Sequence, residues 1–391
     1  MIMMTSKIRC GEMIDLVSGK RRQNVDLWLI NGKIGKISEK IGRAAEEEID
    51  LSRFYVIPGF VDAHNHLCLR VGGEAAPMME ALAYQVLLAV KHARFALLSG
   101  VTTLRDAGER GYVDLFVRRG IEEGIIPGPR LLVAGPGFLQ SCGRLWFMGR
   151  EAGGHIEVRK TVRKQLKAGI DFIRIFVSGA GAAFSAEKAV PGSSREEIEA
   201  AVYEARAAGR NIGVQTHGGD AATWAIEAGV DAVEHGCFLT EEQLLMMREC
   251  GTWLVVTSGI QRAIRDCAGN SAFMREKAGA AYANYLSVVR RAVELGINLA
   301  VGNDTNHGCI AEEITFLERA GMERRAALLA ATLGGASLCG IEEEIGTLDI
   351  GKEADLIAFE RDPLTAAPRE LVPAWVIRSG KVMKNPVGVC S

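Results

Sequence analysis

Short β-rich apolar runs alternate with longer segments whose apolar residues recur at helical spacing through most of the chain. Eight of these runs are predicted to be strands, at 56–63, 102–106, 131–134, 172–178, 213–217, 232–235, 254–258 and 299–304. The intervening segments predict helices, for example at 80–98, 195–208 and 280–295. This alternation is typical of βαβ units around a parallel sheet, and eight such strands predict an α/β fold closed as a (β/α)8 TIM barrel.

The two ends of the chain have a different pattern, made of short β segments. These segments are 25–30, 34–37, 354–359 and 375–382. Asn31-Gly32-Lys33 separates the first two, and an Asn-Gly turn between alternating apolar runs is a strong hairpin signal. We therefore predict that residues 1–57 and 345–391 pair as one small β-sandwich domain, while residues 58–344 form the barrel.

Length and composition fit this two-domain architecture. The 391 residues suffice for a barrel of about 250 to 300 residues plus a smaller domain. Apolar residues make up 48% and charged residues 24%, which allows a large core and excludes general disorder. The nine cysteines form no C-x-x-C pair, so we interpret them as structural thiols rather than as disulfides or soft-metal ligands.

The distribution of charge limits the class of partner. The formal net charge is −2, and Lys and Arg are scattered along the chain rather than clustered. This distribution provides no surface for nucleic acid or for an anionic membrane, and it favours a small-molecule partner. The N-terminal segment has no apolar signal region, and no stretch of 18 uncharged apolar residues occurs elsewhere. We therefore expect a cytoplasmic protein.

Polar residues are concentrated where the predicted strands end. In a TIM barrel the carboxyl ends of all strands face one side, and active sites lie on that side. The polar residues at or just after these ends are His64, His66, Asp106, Arg174, Gln215, His217, His235 and Asp304. Because they follow six different strands, we expect them to converge on one site at the barrel mouth.

The first and last strands predict a metal centre. His64 and His66 point to the same side because side chains alternate along a strand. Two neutral imidazoles that face one space suit a divalent metal such as zinc, iron or nickel. Asp304 can complete the ligand set and accept a proton from metal-bound water. Since a divalent metal lowers the pKa of its bound water toward about 7, this set predicts hydrolysis at neutral pH.

The remaining histidines need separate interpretations. A single histidine at a strand end is more often a hydrogen-bonded structural residue than a ligand. We interpret His235, within Glu234-His235-Gly236, as functional, and His92, within a predicted helix, as structural. His307 follows Asp304 by three residues and either reaches the substrate or has a structural role.

Five motifs resemble those of the amidohydrolase superfamily, specifically its imidazolonepropionase-like and Xaa-Pro or Xaa-Arg dipeptidase-like branch. In chain order they are VIPGFVDAHNHL, GVTTLRDAG, AGVDAVEHG, AVGNDT and GTLDIGKEADLIAF. The resemblance covers essentially the whole chain. It implies that His64, His66 and Asp304 ligate the more buried metal, and that His235 binds a second metal or the substrate. It also implies a homo-oligomer, since relatives of this kind often are.

The sequence departs from the family pattern at the second metal site. Dinuclear members carry a carboxylated Lys after the fourth strand, whereas this chain has Arg174, whose guanidinium stays protonated and repels a cation. Members carry a fifth-strand His where an ungapped match places Gln215, with His217 two residues later. Either His217 takes the ligand position after a small backbone shift, or it contacts substrate while Gln215 fills that position. These departures favour one metal ion over two, zinc first, with iron or manganese as alternatives.

Two arginines are candidates for substrate binding. Arg174 either binds a substrate carboxylate or a developing oxyanion, or forms a structural salt bridge with a barrel acid such as Asp106 or Asp304. Arg144 lies in the loop after the third strand near the apolar Trp146, where dipeptidase-like relatives tend to carry Gly-Gly-His. Such a loop suits an anionic substrate with an apolar or planar part, unless Trp146 only packs on the surface.

Three functional hypotheses follow from these residues. The leading hypothesis is hydrolysis of a C–N bond in a small amide, cyclic amide, N-acyl amino acid or dipeptide. In that reaction Asp304 carries the proton to the leaving nitrogen and His235 stabilises the tetrahedral oxyanion. The second is deamination or imidazolone-type ring opening at a single metal. The third is a metal-free barrel that serves as a binding or structural protein, and metal content distinguishes it from the other two.

Overall fold

A computed structural model describes residues 4–70, 79–140, 146–178, 191–267, 270–386 and 388–389 of the chain. Its strands, in chain order, are β1 (Thr5–Ile14), β2 (Arg21–Ile30), β3 (Lys33–Ser38), β4 (Glu47–Pro58), β5 (Phe60–Asn65), β6 (Val101–Asp106), β7 (Arg130–Val133), β8 (Gly137–Leu139), β9 (Gly149–Glu151), β10 (Ile173–Phe176), β11 (Ile212–Thr216), β12 (Ala232–His235), β13 (Trp253–Val256), β14 (Leu299–Val301), β15 (Leu356–Phe359), β16 (Trp375–Arg378), β17 (Lys381–Asn385) and β18 (Gly388–Val389).

The helices mostly lie between barrel strands. They are α1 (Leu82–Leu98), α2 (Val113–Glu122), α3 (His155–Ala168), α4 (Arg195–Ala207), α5 (Asp220–Ala228), α6 (Glu241–Cys250), α7 (Gly259–Asp266), α8 (Ala272–Leu295), α9 (Ile310–Arg319), α10 (Arg324–Leu329) and α11 (Gly335–Leu338). A π-helical turn, Ala330–Gly334, joins the last two, and short 3-10 turns occupy Arg110–Tyr112 and Pro368–Glu370. Among the described residues, no helix has the length and apolar character that crossing a membrane requires.

Two parallel sheets form the barrel. One has the order β5-β6-β7, and the other has the order β14-β13-β12-β11-β10-β8-β9. They meet where the third barrel strand is interrupted, because β7 pairs with β6 while β8 pairs with β10. On the opposite side β5 meets the end of β14, where Asp304 N donates to His64 O at 2.8 Å and His66 N donates to Asp304 O at 3.1 Å. These bonds confirm the predicted barrel.

The two chain ends pair in one eight-stranded sheet, as the sequence predicts. Its order is β18-β17-β16-β15-β4-β1-β2-β3. Strand β4 from the N-terminal part and strand β15 from the C-terminal part run antiparallel, with Ile57 opposite Ile357. One face of the sheet buries apolar side chains that include Ile8, Leu27, Leu29, Leu51, Leu356 and Ile377. Burial of this shared core holds the ends together.

Several predicted element boundaries differ from those in the structure, among them the following two. The predicted strand 56–63 is two strands, because Pro58 ends β4 and β5 begins at Phe60. Proline lacks the N–H that a continuing ladder needs, and a Cβ at Gly59 would overlap the side chain of Thr102. Helix α8 begins at Ala272 rather than at 280, so its first two turns, AFMREKAG, lie outside the predicted range.

The predicted hairpin near the N-terminus has the backbone that Asn-Gly favours. Asn31 and Gly32 have φ values of 50° and 82°, and they join Ile30 to its partner Lys33. A Cβ at Gly32 would overlap the carbonyl oxygen of Ser379. We expect Gly32→Ala to lower the free energy of unfolding by about 2 kcal/mol or more, because alanine resists this φ and meets that carbonyl.

Chemical denaturation measures this effect, with Gly42→Ala as the matched control. A Cβ at Gly42 meets no atom of the described residues within 4 Å, so the control variant should unfold close to wild type. Equal midpoints for the two variants would contradict the role assigned to the turn.

Candidate metal centre and active site

Asp62 anchors the first and last barrel strands to each other. Its Oδ1 accepts bonds from His64 N at 3.2 Å and Asn303 N at 3.0 Å. Its Oδ2 accepts bonds from Asn65 Nδ2 at 2.8 Å and Asn303 Nδ2 at 2.9 Å. Burial raises the pKa of Asp62 to about 6, against the lowering effect of these bonds. Sequence reasoning missed this residue, although it lies two positions before the first histidine of the motif.

His64, His66 and Asp304 lie together at the barrel mouth, as predicted. Each offers one ligand atom, and these atoms all lie within 4.8 Å of one another. Gly302 allows this approach, because a Cβ there would overlap His64. His64 Nε2 is completely buried and has no hydrogen-bond partner among the residues that the structure describes. A buried ring nitrogen without a partner is costly in a protein interior, and a bound cation would satisfy it.

His66 is held from both sides of its ring. Its Nδ1 donates to Gly108 O at 3.1 Å, so its Nε2 carries the lone pair. That lone pair accepts a bond from Nη1 of Arg174 at 3.0 Å. Burial and the neighbouring Arg174 lower the pKa of His66 well below its ordinary value. The ring is therefore neutral, and a metal bound at Nε2 would replace the bond from Arg174.

Arg174 lies inside the barrel, 1% exposed, and its acidic partner is Glu234 rather than Asp106 or Asp304. Its Nε donates to Glu234 Oε2 at 2.8 Å, and its Nη1 donates to Ala107 O at 2.7 Å. These bonds and the bond to His66 account for much of the guanidinium's donor capacity.

Glu234 is the carboxylate that pairs with the positively charged groups of this network. Arg105 Nη1 donates to its Oε1 at 2.9 Å, and His64 Nδ1 lies 3.4 Å from its Oε2. Burial alone would raise the pKa of Glu234, but Arg174, His64 and Arg105 hold it well below the ordinary value. Sequence reasoning did not single out Glu234, although it immediately precedes His235.

Two residues of the site have strained backbones. His235 has φ = 69° and Asp304 has φ = 54°, a region that residues other than glycine rarely adopt. Such strain persists where the surrounding structure imposes it, and it is concentrated at functional sites. His235 Nδ1 lies 2.7 Å from Thr257 Oγ1 and 3.9 Å from Asp304 Oδ2. Burial lowers the pKa of His235 well below its ordinary value, with His64 and His217 adding to the effect.

Four imidazoles form a continuous chain across the barrel mouth. The centroid distances are 5.1 Å from His66 to His64, 4.9 Å from His64 to His235 and 5.3 Å from His235 to His217. The last two rings are stacked, with an interplanar angle of 22°. Burial lowers the pKa of His217 to about 4, so this ring is also neutral at physiological pH.

The fifth strand places both of its candidate residues near the site. Gln215 is 2% exposed, and its buried Oε1 finds no hydrogen-bond partner within the described ranges. His217 stacks on His235 and follows the end of β11 by one residue. Which of the two completes a ligand set stays a prediction.

The two other residues predicted to bind substrate are His307 and Arg144. His307 stacks on His92 at 4.0 Å, and its ring nitrogens lie 2.9 Å from Asn65 Oδ1 and 3.1 Å from Leu69 O. These contacts support the first-strand motif, which fits the structural role considered for His307. Arg144 lies outside the described residues.

Comparison with known proteins decides the family. The profile described as the amidohydrolase family matches residues 55–383. This chain belongs to the amidohydrolase family. This match confirms the resemblance that the five sequence motifs indicated. The predicted amidohydrolase barrel is confirmed as well.

Individual proteins and crystal structures show which members of the family this amidohydrolase resembles. Ochratoxinase of Aspergillus niger is 28% identical over 326 residues, which cover 74% of this chain and 67% of that protein. Imidazolonepropionase of Symbiobacterium thermophilum is 26% identical over 435 residues, which cover 96% of each chain. The crystal structure of a Xaa-Pro dipeptidase with bound methionine in its active site has a TM-score of 0.88 and 28% identity, covering 97% of this chain and 100% of that one.

These comparisons confirm two predictions made from sequence. The amidohydrolase lies in the imidazolonepropionase-like and dipeptidase-like branch. It is an enzyme of the class that hydrolyses carbon–nitrogen bonds, and such enzymes act on small molecules.

Proposed function

We propose that this amidohydrolase uses one divalent metal ion to hydrolyse the amide bond of a small N-acyl amino acid or dipeptide. The observation that carries the proposal is the group of His64, His66 and Asp304, whose ligand atoms lie within 4.8 Å of one another. Neutral imidazoles and a carboxylate suit zinc, and also iron or manganese.

The donor set fits a single catalytic cation. The buried Nε2 of His64 has no other partner in the described part of the chain. Arg174 lies beside His66 where dinuclear relatives carry a carboxylated Lys, so its fixed positive charge disfavours a second ion at that place. His217 or Gln215 would supply the fifth-strand ligand. A bound ion would polarise the substrate carbonyl and lower the pKa of water.

The protein's own groups supply the proton transfers. Asp304 is positioned to accept a proton from the attacking water and to return it to the leaving nitrogen. Burial raises the pKa of Asp304, which favours proton uptake. His235 stabilises the oxyanion through Nε2–H if Thr257 Oγ1 donates to its Nδ1, and their 2.7 Å separation allows that tautomer.

The proposed substrate class rests on two relatives of similar overall architecture. The Xaa-Pro dipeptidase and ochratoxinase are both 28% identical to this chain. A ring-opening or deaminating reaction is the second candidate, because the similarity to an imidazolonepropionase extends over 96% of both chains. Release of ammonia distinguishes deamination, whereas release of an amino acid supports the proposed amide hydrolysis.

Removal of metal should abolish activity. We expect dialysis against a chelator to lower the release of amino acids from a panel of N-acyl amino acids and dipeptides by about 10³-fold or more, because proton transfer alone cannot replace a Lewis acid. Zinc, manganese or iron should each be tested for recovery. His64→Asn should remain inactive after metal is restored, while the exposed His155 provides the matched control, His155→Asn. Full activity in the chelated enzyme would contradict the proposal.

A further inference from the structure

One ring nitrogen of His235 contacts a buried hydroxyl group. His235 Nδ1 lies 2.7 Å from Thr257 Oγ1, and Thr257 directly follows strand β13. Thr257 is 0% exposed, so its hydroxyl has no access to bulk water. This contact occupies Nδ1 and leaves Nε2 as the ring nitrogen that can act on a metal or on a substrate.

The position of one proton decides which of these roles Nε2 can have. A neutral imidazole carries its proton on one nitrogen and a lone pair on the other. If Nδ1–H donates to Thr257, Nε2 has the lone pair that a metal requires. If Thr257 Oγ1–H donates to Nδ1, Nε2 carries the proton and can donate to a substrate oxygen. A hydroxyl can donate or accept, so the contact between the two side chains by itself allows both tautomers.

A second buried hydroxyl, that of Tyr285, also contacts Thr257. Tyr285 lies on helix α8 and is 0% exposed, and its Oη accepts a hydrogen bond from Thr257 N at 3.1 Å. The Thr257 side chain is a further hydrogen-bond partner of this hydroxyl. Burial raises the pKa of Tyr285 well above its ordinary value, so the hydroxyl keeps its proton. The nearby carboxylate of Glu313 binds Ser258 and Gly259 instead, which leaves Thr257 Oγ1 as the acceptor for that proton.

The hydroxyl protons of Thr257 and Tyr285 determine the tautomer of His235. A buried hydroxyl proton without an acceptor costs about 1 to 3 kcal/mol. If Tyr285 donates to Thr257 Oγ1 and Thr257 donates to His235 Nδ1, both protons have acceptors. If Nδ1–H donates to Thr257 instead, one of the two hydroxyl protons is left without an acceptor in the described part of the chain. The first arrangement is therefore the more stable one, and it places the imidazole proton on Nε2.

We propose that Thr257, held in place by Tyr285, is a positioning residue that fixes His235 as the Nε2–H tautomer. In this form His235 donates to the substrate carbonyl oxygen and does not ligate a metal. The role of this donor rests on the proposed amide hydrolysis, whereas the tautomer follows from the contacts of Thr257 and Tyr285 alone. Because charge develops on the carbonyl oxygen as water attacks, a donor fixed in advance stabilises the transition state more than the bound substrate.

NMR of the histidine side-chain nitrogens measures the tautomer. The zinc-loaded full chain with isotopically labelled histidine should show His235 protonated at Nε2, and its signals are assigned by their loss in His235→Asn. Thr257→Val keeps the shape of the side chain but removes the hydroxyl, so we expect the Nδ1–H form to appear in this variant. Thr257→Ser retains a hydroxyl and should retain the wild-type tautomer.

Steady-state kinetics of amide cleavage connect the tautomer to catalysis. Thr257→Val should lower kcat by about 10- to 100-fold with a much smaller change in KM, and Thr257→Ser should recover most of the loss. The matched control is Thr252→Val. Thr252 is 2% exposed and its hydroxyl donates to Val230 O, but it precedes β13 and so lies at the opposite end of that strand. This control should keep the wild-type kcat and the wild-type tautomer.

Two results would overturn the proposal. One is a zinc-loaded wild-type enzyme in which His235 carries its proton on Nδ1, and this measurement needs no variant to fold. The other is a Thr257→Val variant, folded by thermal unfolding, that keeps either the wild-type tautomer or the wild-type kcat. If amide hydrolysis itself is absent, the tautomer of the wild-type enzyme still supports or overturns the assignment of Thr257, so the two failures are distinguishable.

Discussion

Asp304→Asn should lower kcat/KM by about 10³-fold or more for whichever amide the wild-type enzyme cleaves. Asparagine keeps the size of the side chain, but it loses the negative charge that ligates a cation and the basicity that accepts a proton. Asp304 combines both roles in the proposed mechanism, and its backbone φ of 54° shows that the fold holds it in an uncommon conformation. Steady-state assays of amino acid release measure the effect.

The matched control for this prediction is Asp50→Asn. Asp50 is exposed on strand β4 of the eight-stranded sheet, outside the barrel, and its replacement should leave kcat/KM close to wild type. Thermal unfolding of Asp304→Asn establishes that the variant is folded. A folded variant with more than a tenth of the wild-type kcat/KM would show that another group performs the proton transfers.

Arg174→Met should be the most destabilising single change within the site, lowering the free energy of unfolding by about 3 to 5 kcal/mol. The substitution removes a guanidinium that is 1% exposed and that binds Glu234, Ala107 O and His66. Glu234 would keep Arg105 as a partner, but one of its buried oxygens would lose its closest donor. Breaking a buried ion pair on one side leaves an uncompensated charge, which accounts for the size of the effect.

Arg163→Met provides the comparison on the surface. Arg163 also pairs with a carboxylate, Glu204, but its side chain is 60% exposed and water can replace the lost partner. Chemical denaturation of both variants should show a much smaller loss for Arg163→Met. Equal losses would mean that Arg174 contributes no more than an ordinary surface charge and that Glu234 is stabilised by other groups.

The parts of the fold set by local chemistry were predictable from sequence. The Asn31-Gly32 turn follows from the backbone freedom of those two residue types, and the strand ends follow from the positions of the apolar runs. His64 and His66 could be assigned to one site because their spacing places both side chains on the same side of the chain where β5 ends. Each of these inferences needs only a few neighbouring residues.

Contacts between distant strands were not predictable in the same way. Arg174 and Glu234 are 60 positions apart, and their sequence neighbourhoods do not indicate that they pair. Asp62 likewise contacts Asn303 across 241 positions, where strands β5 and β14 close the barrel. Several acids lie at the barrel mouth, so the choice of partner depends on barrel geometry rather than on residue type.

Metal content of the purified enzyme, compared with that of His64→Asn, tests the central claim most directly. Elemental analysis on protein prepared without added metal should show that His64→Asn loses about one equivalent of divalent metal per chain together with amide hydrolysis. A His64→Asn variant that keeps both the metal of the wild type and its activity would contradict the account, because the proposed catalytic cation would then lie elsewhere.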